Sequence, residues 1–313
     1  MALGRRAPRV GLALGSGSAR GWAHIGVLQV LREEGVQPDI VCGSSIGALV
    51  GAAYAAGELE RFSEWVHTLG LREVFGFMDF NLAGGMLKGE KLIAFWRRNF
   101  ADFNIEDAQL PFGAVATDLH SGAEVWLREG SIADAVRASI ALPGLFTPMV
   151  QEGGRLLVDG GLVNPVPTSL ARAMGADIVI GVDLSADILQ RHMHPLAVVR
   201  KPEADAPEEG AAPPEPEPVK NGDWMGRLRF WNHANGKAPA PKLPSMLDVM
   251  MNSLNIMQMR IARSRMAGDP PEVVIAPRLG HLGQLDFHRA KEAIEEGRRA
   301  AQASLPQLHQ FMG

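Results

Sequence analysis

Cysteine is nearly absent from this sequence, in which Cys42 stands alone among 313 residues. A lone thiol cannot close an internal disulfide, and without a Cys/His cluster no zinc site is expected. A single cysteine is typical of proteins kept in a reducing compartment, so we expect a cytoplasmic location. On its own strand, ahead of a tight turn, Cys42 is interpreted as an inert core thiol.

Long apolar runs are also missing. No stretch reaches the roughly 18 apolar residues that a membrane-spanning helix requires. The run Val10–Leu14 follows several arginines, but it is too short for the apolar region of a signal peptide, and glycines follow at once. We therefore expect any membrane contact to be peripheral, at the inner face of the membrane.

Neither sign of charge dominates. The chain has 31 Lys and Arg against 35 Asp and Glu, a formal net charge of -4, so no basic field attracts nucleic acid. Hydrophobic residues make up 46% of the chain, which is enough for a sizeable core in one domain spanning residues 1–313. Residues 199–244 are rich in Pro and Glu, and we predict a disordered insertion there because they carry too little apolar surface to order themselves.

Strands and helices alternate along the first part of the chain. Residues 9–14 have the pattern of a buried strand and residues 22–35 that of a helix; a second strand and a helix over 46–57 follow. This alternation favours a three-layer α/β/α fold with a mainly parallel central sheet. Further strands are predicted over 111–119, 155–161, 176–184 and 272–279.

The strongest chemical signal is the pattern Gly-x-Ser-x-Gly, formed by residues 43–47 with Ser45 at its centre. It lies where the second strand becomes a helix. A nucleophile elbow holds its serine in strained backbone geometry, so its neighbours must be small, as Gly43 and Gly47 are. The turn would also direct the N-terminus of the following helix at a developing negative charge. The alternative is a small-residue packing turn.

A glycine-rich loop, residues 15–21, joins the first strand to the first helix. A dinucleotide site needs the spacing G-x-G-x-x-G, whereas this loop has G-x-G-x-x-x-G, and the candidate ribose ligand Asp39 lies before the second strand. An oxyanion hole instead needs converging backbone N–H groups, each of which lowers the barrier by roughly 3 kcal/mol. The nearby elbow favours the oxyanion hole over a nucleotide site or a purely structural turn.

A serine nucleophile needs a base, and the sequence offers two arrangements. One is a Ser-His-Asp triad in which Asp159 or Asp183 is followed by His281 or His288. The other is a dyad in which Asp159 acts alone. The dyad is favoured, because the elbow follows only the second strand and because Asp159 follows an apolar run, at the carboxyl end of a strand. Burial would have to raise the pKa of this aspartate for it to act as a base.

The three motifs together resemble the bacterial patatin-like phospholipases, a family that includes the catalytic domain of neuropathy target esterase. That family has a glycine-rich loop, a G-x-S-x-G elbow and a D-G-G/A turn in this order, and the chain has residues 16–21, residues 43–47 and Asp159-Gly160-Gly161. The segments ARGWAHIGVLQVL, RASIALPGLFTPM and VVIAPRLGHLGQLDF are also similar to family segments. The resemblance covers about residues 1–185 and 246–305.

The resemblance implies a serine acyl hydrolase that cleaves fatty acyl esters of (lyso)phospholipids or related lipids, with no metal or organic cofactor. It implies that Ser45 is the nucleophile and Asp159 the base. The oxyanion hole would be formed by the loop residues Gly15, Ser16, Gly17, Ser18 and Arg20. Two glycines of the family pattern are Ser16 and Ser18 here, which keeps open a lipid-binding or regulatory protein with weak turnover.

Two further features of the sequence have structural interpretations. His24, in the first helix, is expected to pack or cap rather than to catalyse. The Met-rich segment 246–267 predicts a helix that contributes to the core or to a contact in a homo-oligomer, with a lipid-facing helix as the alternative. The expected partners are therefore a lipid substrate, a membrane surface and a second copy of the chain, and not nucleic acid.

Overall fold

The computed structural model describes residues 6–77, 89–100, 102–187 and 246–312. The predicted insertion at 199–244 lies outside the described residues. Within them, the central sheet has strands of mostly buried, apolar and small residues. The strands are β1 (Val10–Leu14), β2 (Ile40–Ser44), β3 (Phe112–Asp118), β4 (Glu124–Leu127), β5 (Met149–Val150), β6 (Leu156–Asp159), β7 (Ile178–Val182) and β8 (Val273–Ile275).

Hydrogen bonds connect the strands along the path β5-β6-β3-β2-β1-β7-β8. The strands β2 and β6 share one edge of β3, and β4 pairs with its other edge. The strands β3, β2, β1, β7 and β8 are parallel, as the alternation of strands and helices predicted. The strands β4 and β6 run antiparallel to β3. The sheet is therefore mainly parallel with a mixed edge, and the predicted fold class is confirmed.

Helices connect these strands and cover both faces of the sheet. They are α1 (Ala23–Glu33), α2 (Ile46–Ala55), α3 (Leu59–His67), α4 (Leu71–Gly76), α5 (Glu90–Asn99), α6 (Ile132–Ser139), α7 (Thr168–Ala173), α8 (Met246–Gly268) and α9 (Ala290–Met312). In the described part of the chain, none of them is both long and apolar enough to cross a membrane. The Met-rich segment is a helix, α8, as predicted.

Alternating side chains divide the core between the two faces of the sheet. Along β1, Leu12 and Leu14 join a large cluster with α1, α2, α3 and α9, whereas Ala13 joins a smaller cluster with α7 and α8. The same alternation holds along β2, where Val41 faces the first cluster and Cys42 the second. Successive residues of a strand point to opposite faces, so the chain builds two apolar layers around one sheet.

Candidate active site

Ser45 lies in the tight turn between β2 and α2, and its backbone has φ 56° and ψ −125°. A positive φ is unfavourable for a residue with a side chain, so the surroundings must hold this turn in place. Its neighbours leave no room for a side chain. A Cβ on Gly47 would lie 2.1 Å from the carbonyl oxygen of Leu14, and one on Gly43 would lie 2.4 Å from the nitrogen of Ala48. The small residues are therefore required by backbone contacts.

The hydroxyl of Ser45 donates a hydrogen bond to Asp159, with 2.5 Å between Oγ and Oδ2. The other carboxylate oxygen, Oδ1, accepts from the backbone N–H of Gly161 at 2.7 Å. Asp159 is fully buried and Ser45 is 9% exposed. The two residues, 114 positions apart in sequence, thus form one buried hydrogen-bonded pair that reaches the surface only through the serine.

Ser45 and Asp159 meet because β2 and β6 approach each other end to end along one edge of β3. Ala116 of β3 pairs with β4 on one side and with Asp159 of β6 on the other. Val115, one residue earlier, pairs with the same β4 and, on its other side, with Ser44 of β2. The carboxyl ends of the two strands therefore point at each other. The sequence indicated that Asp159 ends a strand, but not that this strand is antiparallel to its neighbour.

Burial controls the acidity of Asp159. Loss of water around the carboxylate raises its pKa to about 7, and the hydrogen bonds from Ser45 and Gly161 limit that rise. The carboxylate is thus a much stronger base than an exposed aspartate, and it loses its proton near neutral pH. Asp159 is thus buried to the extent that a base acting without a histidine requires.

Ser139 holds the elbow in position, and sequence reasoning assigned it no role. The backbone N–H of Ser45 donates to the hydroxyl of Ser139 at 2.8 Å, and that hydroxyl donates to the carbonyl of Val115 at 2.6 Å. Ser139 is fully buried at the end of α6. The only signal in the sequence is its place in the segment RASIALPGLFTPM, which carries no indication of the contact.

The glycine loop divides into an anchored part and a part whose amides are unbonded. The N–H of Gly15 donates to the carbonyl of Val182, and the N–H of Ser16 donates to the carbonyl of Pro165. These two amides hold the loop against the sheet and are not available to a bound oxyanion. The amides of Gly17 and Ser18 have no acceptor among the described residues. Of the loop amides proposed from sequence, these two remain as donors.

The side chains of the loop fix its shape. Ser18 has φ 53°, and its hydroxyl donates to the carbonyl of Gln284 at 2.6 Å. Arg20 is buried and its Nε donates to the carbonyl of Leu282, so it ties the loop to the segment before α9. His24 is fully buried, and its Nε2 lies 2.7 Å from the carbonyl oxygen of Gly15.

Burial lowers the pKa of His24 to about 4, so the ring is neutral at physiological pH. A neutral ring can meet the carbonyl of Gly15 only by carrying its proton on Nε2 and donating it. The other nitrogen, Nδ1, has no partner among the described residues. His24 is thus a buried structural residue, as predicted, but what it supports is the start of the glycine loop.

An apolar pocket of about 870 Å³, including its open mouth, lies over Ser45. Ser18 and Ser45 are its two polar lining residues in the described part of the chain, and they lie where the glycine loop meets the elbow. The apolar lining consists of Trp22, Ile46, Leu49, Trp65, Leu69, Val74, Phe77, Leu92, Ile140, Leu142, Leu145, Phe146, Leu285 and Phe287.

The structure places the other candidates for a base away from Ser45. The carboxylate of Asp183 accepts from the backbone and hydroxyl of Ser185. His281 and His288 are exposed, and the nearest charged partner of His281 is Glu292 at 3.8 Å. No histidine nitrogen among the described residues bonds to Ser45 or Asp159. The described geometry is that of a direct serine–aspartate pair.

Asp39, the candidate ribose ligand, accepts from the N–H of Val10 at the start of β1. It therefore lies at the amino end of the parallel strands, opposite the glycine loop, where it cannot complete a dinucleotide site. Within the described ranges, no group of three or more metal-ligating side chains comes together.

Comparison with known proteins places the chain in a family. The family model for patatin-like phospholipases matches residues 12–172. An uncharacterised NTE family protein of Mycobacterium tuberculosis is 35% identical over 96% of this chain and 92% of its own length. Patatin-like phospholipase domain-containing protein 6 of Mus musculus is 38% identical over 56% of this chain, which corresponds to 14% of that longer protein.

A solved structure, VipD from Legionella pneumophila, aligns over 96% of this chain and 67% of its own, with a TM-score of 0.47 and 11% identity. The family model and the mycobacterial relative establish the family of this chain. They confirm the resemblance, and lipid hydrolysis is the activity that the family implies. The chain belongs to the patatin-like phospholipase family and is related to the catalytic domain of neuropathy target esterase.

Proposed function

We propose that this protein hydrolyses the fatty acyl esters of lysophospholipids and related lipids, with Ser45 as nucleophile and Asp159 as its only base. One observation carries the proposal: the Ser45 hydroxyl donates at 2.5 Å to a fully buried carboxylate, beneath a pocket lined almost entirely by apolar side chains. A buried aspartate with a pKa of about 7 is ionised in a useful fraction of molecules at neutral pH.

The chemistry proceeds by acyl transfer through a covalent intermediate. Asp159 takes the proton of Ser45 while Oγ attacks the ester carbonyl carbon, and the carbonyl oxygen becomes an oxyanion. The unbonded amides of Gly17 and Ser18 donate to that oxyanion. When the intermediate collapses, the C–O bond to the alcohol breaks and Asp159 returns the proton to the leaving oxygen.

A water molecule then repeats the cycle on the acyl-enzyme. Asp159 takes one proton from the water, the resulting hydroxide attacks the acyl carbon, and the bond to Ser45 Oγ breaks. The serine recovers its proton from Asp159 and the fatty acid leaves. In each half-reaction Asp159 accepts one proton and then donates it, and over the full cycle the proton that Ser45 gives to the alcohol is replaced by one from water. The pair therefore needs no further acid or base.

The pocket lining supports a fatty acyl chain as the group next to the ester. Beyond Ser18 and Ser45 the described walls are aliphatic and aromatic side chains, so they favour an apolar acyl group over a polar one. Trp22, Trp65 and Phe77 line the pocket and belong to one group of mutually contacting rings. The polar part of the lipid would then remain at the open mouth.

Hydrolysis of a p-nitrophenyl acyl ester by matched variants tests this proposal. Ser45→Ala and Asp159→Asn should each remove activity, on the order of 10⁴-fold or more, because each eliminates one half of the pair. Ser44→Ala and Asp183→Asn are the matched controls. Ser44 Oγ has no partner among the described residues, and the contact of Asp183 with Ser185 can be kept by an asparagine oxygen.

Retained activity in Asp159→Asn together with loss in His281→Ala would replace the pair with a triad. Slow turnover by the parent protein with tight retention of fatty acid would instead favour a lipid-binding role. Circular dichroism of each variant confirms that a loss of rate does not come from a loss of fold.

A further inference from the structure

The exposed apolar side chains of the described residues are unevenly distributed. Six of the eleven large hydrophobic residues that are most exposed lie on α4, on α8 or in the segment before α9; they are Leu71, Met246, Val249, Ile256, Met257 and Leu285. Exposed apolar residues that cluster mark an interaction surface, whereas scattered ones are ordinary. This cluster therefore needs a partner.

Two of these six residues lie beside the lipid pocket. Leu285 is 39% exposed and also lines the pocket, and Leu71 precedes Val74, which lines the pocket from α4. On the other side, the side chain of Met250 lies against Gly144, between the lining residues Leu142 and Leu145. Leu285 thus belongs both to the exposed group and to the pocket lining, and α8 packs against the segment that carries two lining residues.

One side of α8 points away from the protein along its whole length. We call this side the α8 outer stripe; the spacing of three and four residues places its members on one face, opposite the buried Met251, Met259 and Ala262. The stripe consists of Met246, Val249, Ser253, Ile256, Arg260 and Arg263. Its first half is mostly apolar and its second half is basic.

The basic half of the stripe is without local counter-charge. Residues 249–268 contain no Asp or Glu. The side chains of Arg260 and Arg263 are exposed and form no ion pair with any described residue, whereas the neighbouring Arg265 pairs with Glu124.

We propose that the α8 outer stripe, together with Leu71 and Leu285, docks on the surface of an anionic lipid bilayer and directs the pocket mouth at the membrane. This inference rests on the proposed function, because it assumes that the substrate is delivered from lipid. The apolar half enters the interface beside the acyl chains, while the two arginines meet lipid phosphates.

A bilayer explains this surface better than a second copy of the chain. A symmetric contact would cover the pocket mouths of both copies and bring uncompensated arginines into the same interface. A membrane satisfies both halves of the stripe at once, since its interior is apolar and its surface is anionic. It also leaves the mouth facing the source of the substrate.

Vesicle flotation of the Ser45→Ala protein tests docking without turnover. The vesicles are phosphatidylcholine alone or equal parts of phosphatidylcholine and phosphatidylglycerol. Val249→Ser/Ile256→Ser should weaken binding to both kinds of vesicle, by roughly tenfold for each side chain. Arg260→Gln/Arg263→Gln should weaken binding to anionic vesicles only, by about fivefold for each arginine, and the difference should shrink in high salt.

Matched controls carry the same changes elsewhere. Val150→Ser/Val274→Ser removes two exposed valines from edge strands, and Arg6→Gln/Arg299→Gln removes two exposed arginines. Both controls should float like the parent. When Ser45 is present, all four double variants should hydrolyse a soluble p-nitrophenyl ester at the parent rate, which verifies that they fold.

A parent protein that does not float with anionic vesicles, or stripe variants that float like the parent, overturns the docking proposal. So does a parent dimer that Val249→Ser/Ile256→Ser converts to a monomer, because a second copy would then cover the stripe. The two proposals fail separately: a protein that floats but does not cleave the soluble ester contradicts the proposed function alone.

Discussion

The elbow and the glycine loop both reach the pocket, and each holds one serine in strained backbone geometry. Ser45 and Ser18 are the two residues other than glycine with positive φ in the described part of the chain, at 56° and 53°. Ser45 is held by fully buried partners, Ser139 and Asp159. Ser18 is held by one bond from its hydroxyl to the partly buried Gln284.

This difference in support predicts that the elbow and the loop respond differently to substitution. Strained backbone persists only where the surroundings over-determine it, at a cost on the order of 1–3 kcal/mol for each residue. The elbow is fixed by the core, so its geometry should resist change until the core is altered. Apart from the backbone bonds of Gly15 and Ser16, the loop depends on side-chain hydrogen bonds of Ser18, Arg20 and His24. Single substitutions of these side chains should therefore alter the rate more readily than they alter stability.

Among the substitutions considered, Ser139→Ala should disturb the elbow most severely. It leaves two buried groups, the Ser45 N–H and the Val115 carbonyl, without partners, at about 1–3 kcal/mol of stability each. Misplacement of the nucleophile should lower kcat by roughly 10²-fold. Thermal unfolding and ester hydrolysis measure the two effects.

The control is Ser131→Ala on the same helix, which removes an N-cap bond to the N–H of Asp134 and costs about 1 kcal/mol. It should lower Tm with little effect on kcat. Equal losses of kcat in the two variants would mean that α6 acts only through overall stability.

Asp159→Asn should change how stability depends on pH. Because the folded pKa of Asp159 is raised to about 7 from 3.8, the unfolded chain loses this proton first. The aspartate's contribution to stability is present below pH 3.8 and is lost as pH rises to about 7. The variant does not ionise at this position. Its Tm should therefore rise relative to the parent's Tm across this range, and the difference should persist at alkaline pH.

Unfolding curves at acid, neutral and alkaline pH measure this gain. Asp183→Asn is the control, and its Tm difference from the parent should not follow the same rise. A gap between Asp159→Asn and the parent that is constant with pH would show that the carboxylate is not destabilised by burial.

His24→Leu should disturb the loop with a smaller effect on the fold. It removes the donor to the Gly15 carbonyl, worth about 1 kcal/mol, or about fivefold in kcat if the loop amides shift. It also removes the unpartnered Nδ1, so Tm should fall less than in Ser139→Ala. His24→Gln, whose amide can donate, should recover part of kcat; no recovery would assign His24 to packing alone.

Two substitutions of Ser18 separate its hydrogen bond from its backbone strain. Ser18→Ala loses the bond to Gln284 and keeps the strained φ, so it should destabilise the protein by about 1 kcal/mol. Ser18→Gly loses the same bond but releases the strain, so it should be more stable than Ser18→Ala by about 1 kcal/mol. Chemical denaturation resolves the pair, and equal stabilities would mean that the loop stores no strain at this residue.

The sequence predicted the parts of the site that are local. The strand-turn-helix pattern around Gly43, Ser45 and Gly47 carries its own geometric reason, and the structure has an elbow there. The parallel strands and the fold class followed from the alternation of strands and helices. These features depend on neighbours in sequence, which periodicity and residue size report.

The features of the site that the sequence did not predict depend on contacts between segments that are distant in sequence. The antiparallel direction of β6 decides how Asp159 reaches Ser45, and a four-residue apolar strand does not encode its direction. The anchoring of the Gly15 and Ser16 amides depends on Val182 and Pro165. The role of Ser139 depends on where α6 ends against β2 and β3, which no local pattern indicates.

The rate at which a fluorophosphonate modifies Ser45, measured against pH, tests the central claim most directly. The account predicts one modified residue, Ser45, and a rate that rises with a single ionisation near pH 7 and collapses in Asp159→Asn. Modification of Asp159→Asn at the parent rate, or a profile that shifts when His281 is replaced, would contradict it.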